Sequence, residues 1–124
     1  MQRLDDPFVS SHNLSHAVVE AGDTLGLERA DVAGIIHFIR EGAGALYAGR
    51  ALIEPGSEAW DRSMLFVELY LSLDDAMGGD QAKMVRWLHT RNPALKDEEP
   101  LVVLEDQGRL EDVLNALKRE FKLT

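Results

Sequence analysis

The stretch WLHTRNPALKDEEPLVVL, residues 87–104, decides how the second half of this chain is read. An apolar helical pattern carrying Trp87 and Leu88 runs into Asn92-Pro93. Four charged residues follow, Lys96 to Glu99, then Pro100 and an apolar run. A residue before proline is sterically turned out of the α region, so a helix is predicted to end at Asn92-Pro93. The asparagine side chain can satisfy backbone groups in the turn. Leu95 and Leu101 are expected to return to the core and pin the loop, with residues 96–99 pushed outward. Pro100 suits the first position of a new helix, where its missing N–H costs nothing. Leu101 to Leu104 is too short for periodicity to choose between a strand and a helical turn.

Working outward, Gly108 is a break, and RLEDVLNALKREFKL, residues 109–123, is strongly amphipathic. Its Leu110, Val113, Leu114, Leu117 and Phe121 follow the spacing of one helix face. On the other side, Asp80 is positioned to cap the helix that bears Trp87. Gly78-Gly79 stops WDRSMLFVELYLSLDDAM, residues 60–77, the most hydrophobic helix of the chain. Apolar residues cover two of its stripes, Met64, Val67 and Leu71 on one, and Phe66, Tyr70, Leu73 and Met77 on the other. A helix apolar on more than one side is central or covered by a second chain. The expectation is a homodimer with Phe66, Tyr70 and Leu73 at its interface.

Further toward the N-terminus, Glu54-Pro55-Gly56-Ser57 is a break with Ser57 as a cap. Helices are expected at Ala45 to Ile53, Glu28 to Phe38, and from a cap at Ser10 or Ser11 to Leu25. Residues 1–9 read as a tail. The fold class is all-α: a degenerate helix-turn-helix-like N-terminal half, residues 1–57, packed with a small helical C-terminal domain, residues 58–124.

Composition bounds the function. The chain has 124 residues, 45% apolar and 28% charged, which is a globular balance. Net charge is −9, and residues 1–50, 51–100 and 101–124 each hold more acidic than basic groups, so no block reads as a nucleic-acid footprint. With no cysteine, disulfides, thiolate metal sites and a cysteine nucleophile are excluded. No signal peptide and no membrane-length apolar run is read, and the cytoplasm is the expected location.

Chemistry-bearing clusters are sparse. His12 and His16 have a metal-ligand spacing, but no carboxylate joins them at a matching interval, and they read as exposed histidines. The paired carboxylates, such as Asp74/Asp75 and Glu111/Asp112, are neighbours on helices and point in different directions. No nucleophile, base and oxyanion site assemble, so no enzyme, cofactor or metal is expected. LGLERADVAGII, residues 25–36, reads like the first part of a helix-turn-helix. The helix after it offers only Arg40, Tyr47 and Arg50 to DNA, too few groups to neutralise many phosphates.

The opening stretch resembles the toxin-binding domain of the Xre/MbcA/ParS antitoxins. That family has a tryptophan-leucine pair, an Asn-Pro-Ala-Leu turn, a Pro-Leu-x-x-Leu segment and a final helix. Trp87-Leu88, Asn92-Pro93-Ala94-Leu95, Pro100-Leu101 and Leu104 stand in that order here, and the resemblance covers residues 73–124. The chain departs from the pattern at Lys96-Asp97-Glu98, where the family commonly has small glycine-type residues, and at Glu99, where it has threonine. The resemblance implies a non-enzymatic antitoxin that binds a RES-domain toxin, an NAD consumer, and occludes its active site with the C-terminal part. On that reading Lys118, Arg119, Phe121, Lys122, Leu123 and Thr124 are the toxin-binding residues. It also implies that operator DNA is a possible second partner.

Overall fold

The computed structural model describes residues 10–38, 42–107 and 109–123. Arg40, Gly108, Thr124 and the tail at residues 1–9 lie outside them. The described residues form seven α-helices and a short 3-10 turn, with no strand among them. The chain divides into two compact units, residues 1–67 and 68–124. The division falls inside a helix, ten residues beyond the break at Ser57 where the sequence suggested it.

In the first unit, α1 (Ser11–Thr24) starts at Ser10, whose hydroxyl accepts from the backbone N–H of Asn13 at 3.0 Å. It stops where Gly26 takes the left-handed conformation, φ +74°. α2 (Arg29–Ile36) ends two residues before the expected Phe38 because His37 turns left-handed, φ 58°. The His37 Nδ1 then lies 2.8 Å from Oε1 of Glu58. α3 (Ala43–Tyr47) begins and ends earlier than the expected Ala45–Ile53. Gly49 at φ +77° breaks it, and residues 50–53 run on without helical structure. That stretch is pinned by a buried bond, in which the Ile53 N–H donates to the Ser15 hydroxyl at 2.8 Å. Leu14, Val18, Leu25, Val32, Ile35, Ile36 and Ile53 are all 1% exposed or less.

α4 (Glu58–Ala76) carries the division between the units. Ser57 caps it: its hydroxyl accepts from the Trp60 N–H at 3.0 Å and donates to the Glu54 carbonyl at 2.7 Å. Arg62 Nε donates to the Ile35 carbonyl at 2.8 Å, tying the first half of α4 to the end of α2. Gly78 and Gly79, both at positive φ, end it as expected.

In the second unit, Asp80 caps α5 (Gln81–Leu88), its carboxylate accepting from the Lys83 N–H at 3.2 Å. The helix stops at Leu88, four residues before Asn92. Thr90 helps end it by donating its hydroxyl to the Arg86 carbonyl at 2.7 Å. The open choice at residues 101–104 resolves as helix: α6 (Pro100–Gln107) starts on Pro100. Its buried residues are Pro100, Val103 and Leu104, a helical face, while Leu101 is half-buried. The expectation that Leu101 enters the core is therefore corrected, because a helix beginning at Pro100 turns position 101 away. α7 (Leu110–Phe121) buries Leu110, Val113, Leu114, Ala116 and Leu117.

Candidate functional site

The Asn-Pro-Ala-Leu stretch forms a closed turn in the second unit. Asn92 is 7% exposed, and its Oδ1 accepts from the Ala94 N–H at 2.9 Å. Pro93–Leu95 make one 3-10 turn, and Leu95 is buried. The Asn92 N–H donates to the Glu98 carbonyl at 3.0 Å, and the Asn92 carbonyl accepts from Leu95 and Asp97, so the loop closes on a single residue. Two consecutive non-glycine residues, Lys96 and Asp97, sit at φ 56° and 63° to make that closure. Each carries a Cβ against the carbonyl that glycine would avoid. Replacing Lys96 by glycine should therefore raise stability by about 0.5–1 kcal/mol, after the extra entropy of glycine in the unfolded chain is deducted. An unchanged or lower denaturant midpoint counts against strain at this position.

The C-terminal end of α7 is held by two side-chain ties. Trp87 is 8% exposed, and its indole Nε1 donates to Glu120 Oε1 at 3.2 Å. Lys118 Nζ lies 3.0 Å from Glu68 Oε2, with only 28% of the lysine side chain exposed. Lys118, expected at a binding surface, is engaged inside its own unit by this ion pair with Glu68. Arg119 and Lys122 are exposed, and Phe121 and Leu123 are half-buried. Lys122 is left-handed, φ 55°, and terminates the helix. Thr124 lies outside the described residues.

Between the 3-10 turn and α7 is a shallow cleft of about 130 Å³, lined by Ala94, Arg109, Asp112, Asn115, Ala116 and Arg119. Arg109 Nε and Asp112 Oδ2 form an ion pair at 2.6 Å at its N-terminal end. The sequence reading missed this cleft. Its one signal was the i, i+3, i+6, i+10 polar spacing of residues 109, 112, 115 and 119 on the face opposite the leucines.

The candidate DNA surface fares differently residue by residue. Arg40 lies outside the described residues, and Arg50 is exposed. Tyr47 is corrected: its hydroxyl is buried against Gly22, without a hydrogen-bond partner among the described residues, and Arg29 lies 5.2 Å from its ring centroid. Burial, helped by the Asp23 charge and opposed by Arg29, raises its pKa above 10.0. A tyrosine held in this way cannot reach a phosphate. The five residues of α3 are Ala-Gly-Ala-Leu-Tyr, with no basic side chain.

The candidate dimer face is also partly corrected. Phe66 and Leu73 are 0% exposed within the single chain, so they cannot meet a second copy. Tyr70, Leu71 and Met77 are half-buried. His12 and His16 are exposed, with His16 Nε2 3.8 Å from Glu20. Among the described residues no group of three or more His, Cys, Asp or Glu side chains could hold a metal ion, and no helix is long and apolar enough to cross a membrane.

Residues 72–121 match the family model of the antitoxin Xre/MbcA/ParS C-terminal toxin-binding domain. That span lies wholly within the second unit and includes both the Asn92 turn and α7. The comparison with curated proteins gave no match.

Proposed function

From the match of residues 72–121 to the Xre/MbcA/ParS C-terminal toxin-binding domain, we infer that the protein is the antitoxin of a type II toxin–antitoxin pair. It acts without chemistry of its own, by neutralising a RES-domain, NAD-consuming toxin in the cytoplasm. The observation that carries the reading is the family match over residues 72–121, which hold the motif.

The end of α7 is the element that occludes the toxin's active site. Arg119, Phe121, Lys122, Leu123 and Thr124 make the contact, and Lys118 keeps the turn in place from behind. Two ties, Trp87 to Glu120 and Lys118 to Glu68, support this assignment. A last turn already ordered in the free protein loses less side-chain and backbone entropy on binding. Half-buried Phe121 offers an apolar anchor beside two exposed cations. The competing role of Lys118 and Arg119, neutralising the negative end of the helix dipole, is compatible with this one and is worth under ~1 kcal/mol at an exposed site.

The five-residue α3 has no side chain suited to base edges, which speaks against transcriptional autoregulation through this helix. A homodimer through the half-buried Tyr70, Leu71 and Met77 of α4 is the companion proposal.

The test is inhibition of NAD consumption by the product of the neighbouring gene. The full chain should inhibit it. The variant lacking residues 121–124, which keeps both ties, should bind at least about tenfold more weakly, as loss of an aromatic anchor does. No inhibition by the full chain refutes the antitoxin reading. Undiminished inhibition by the truncated chain refutes the role given to the end of α7.

A further inference from the structure

We propose that Lys96 is a charge contact for the partner protein, set against a carboxylate on the toxin's surface, and that its left-handed backbone is kept for the sake of that cation. The proposal rests on the reading of this unit as toxin-binding. It adds a second contact, on the Asn92 loop, to the helix end described above.

Two consecutive residues of the loop are left-handed, and the loop itself explains only one of them. Asp97, at φ 63°, belongs to a residue type that visits this region, and its carboxylate lies 4.0 Å from Arg91. Lys96, at φ 56°, has neither reason to be there. Its side chain is exposed, and among the described residues its ammonium has no ion-pair partner. Glycine would hold the same turn without the Cβ penalty. A strained residue whose side chain does nothing for its own fold points to a role outside that fold.

The loop offers this cation on a firm base. The Asn92 carbonyl accepts from Leu95 and Asp97, and the Asn92 N–H donates to the Glu98 carbonyl at 3.0 Å. The Glu98 N–H donates to the Leu95 carbonyl at 3.1 Å, and Leu95 is buried. The backbone at residue 96 is therefore set before a partner arrives, and only the lysine rotamers remain to be ordered. The turn that precedes Lys96 packs on α7, so the loop adjoins the helix whose end is assigned to the toxin.

The surroundings select the kind of anion. An ammonium is a compact point charge with three donors, suited to one anionic group rather than a planar, two-point contact. Three acidic residues follow it, Asp97, Glu98 and Glu99, on a chain whose net charge is −9. A nucleic-acid backbone, with a phosphate at every step, would face those carboxylates as well as the lysine. A single carboxylate on a folded surface can be placed against the lysine without facing all three. Such a contact at the exposed edge of an interface acts mainly on the association rate and its salt dependence.

Three substitutions separate charge from backbone strain. Lys96→Gln keeps the strain and most of the reach but removes the charge. Lys96→Arg keeps the charge. Lys96→Gly removes both strain and charge. Each full-length variant is mixed with the neighbouring gene's product in a stopped-flow experiment, at roughly 0.01 M and 1 M salt, where the screening length falls from about 30 Å to about 3 Å. Denaturant midpoints are measured alongside. Lys96→Gln should associate at least about threefold more slowly at low salt, with an unchanged midpoint, and the difference should vanish at high salt. Lys96→Arg should stay within twofold of wild type. Lys96→Gly should be more stable than wild type and yet as slow as Lys96→Gln, a divergence that a merely structural role does not produce. A Gln variant within twofold of wild type at low salt overturns the proposal and leaves the antitoxin reading standing. So does a deficit that persists at high salt, or an Arg variant as slow as Gln, because charge is then not the cause. A Gln variant that meets the toxin normally but loses affinity for duplex DNA assigns the lysine to phosphate and overturns the proposal too. Failure of the wild-type chain to bind removes the antitoxin reading and this proposal together.

Discussion

Phe66→Glu should unfold the protein, whereas Tyr70→Glu, one helical turn later, should leave it folded. The two residues look alike in sequence, on one apolar stripe of α4. Phe66 is 0% exposed and ranks first among the largest fully buried side chains. Replacing it removes an aromatic core residue, which costs about 3–5 kcal/mol for truncation alone. It also places a carboxylate at a fully buried position, where an unpaired charge adds several kcal/mol. The sum approaches the whole stability of an ordinary domain, about 5–15 kcal/mol. Tyr70 is half-buried, so a glutamate there can turn its carboxylate to water, and the cost should stay near 1–2 kcal/mol. Thermal melting by circular dichroism separates the two, and light scattering of the Tyr70 variant reports on a dimer. A well-folded Phe66→Glu monomer contradicts the burial of Phe66 in the single chain.

Gly22→Ala should destabilise the first unit by about 1–3 kcal/mol, the usual effect of overpacking. This reverses the gain of about 1 kcal/mol that the same change gives in an open helix interior. A Cβ at residue 22 falls 2.7 Å from Val32 Cγ2 and 2.8 Å from the Tyr47 hydroxyl. Both groups are held in place. Val32 is fully buried, and the Arg29 guanidinium lies 5.2 Å from the tyrosine ring centroid. Restoring space with Tyr47→Phe should recover part of the loss, since only the hydroxyl is crowded. An alanine variant as stable as the parent rules out the close approach. The same tyrosine sets an alkaline limit. Its folded pKa is raised above 10.0, so the neutral form is favoured by folding. That contribution is intact below the ordinary tyrosine pKa and is lost as pH rises through the folded value.

Much of the second unit was legible one residue at a time. Asn92-Pro93, Pro100 and the leucine spacing of residues 110–117 each act through local sterics or a single amphipathic period, and neither needs knowledge of a partner element. Caps at Ser10, Ser57 and Asp80 were readable for the same reason, because a cap bonds a backbone N–H within three residues. The helix ends at Ile36, Tyr47 and Leu88 were not readable to the residue. At His37 the left-handed turn is accompanied by a contact with Glu58, twenty-one positions away, and no local pattern announces it.

What the sequence by itself determined is the all-helical class, the order of helices and the motif at residues 87–104, which lies inside the span, residues 72–121, that matches the toxin-binding domain family. These depend on periods of three to four residues and on proline and glycine, whose constraints travel with the residue. Only the tertiary structure decided which residues within the two apolar stripes of α4 were buried, that Lys118 faces Glu68, that the Tyr47 hydroxyl is packed against Gly22, and that Arg109 and Arg119 line a cleft. Those outcomes depend on side chains brought together across long separations, where burial and pairing are set by whatever element arrives opposite.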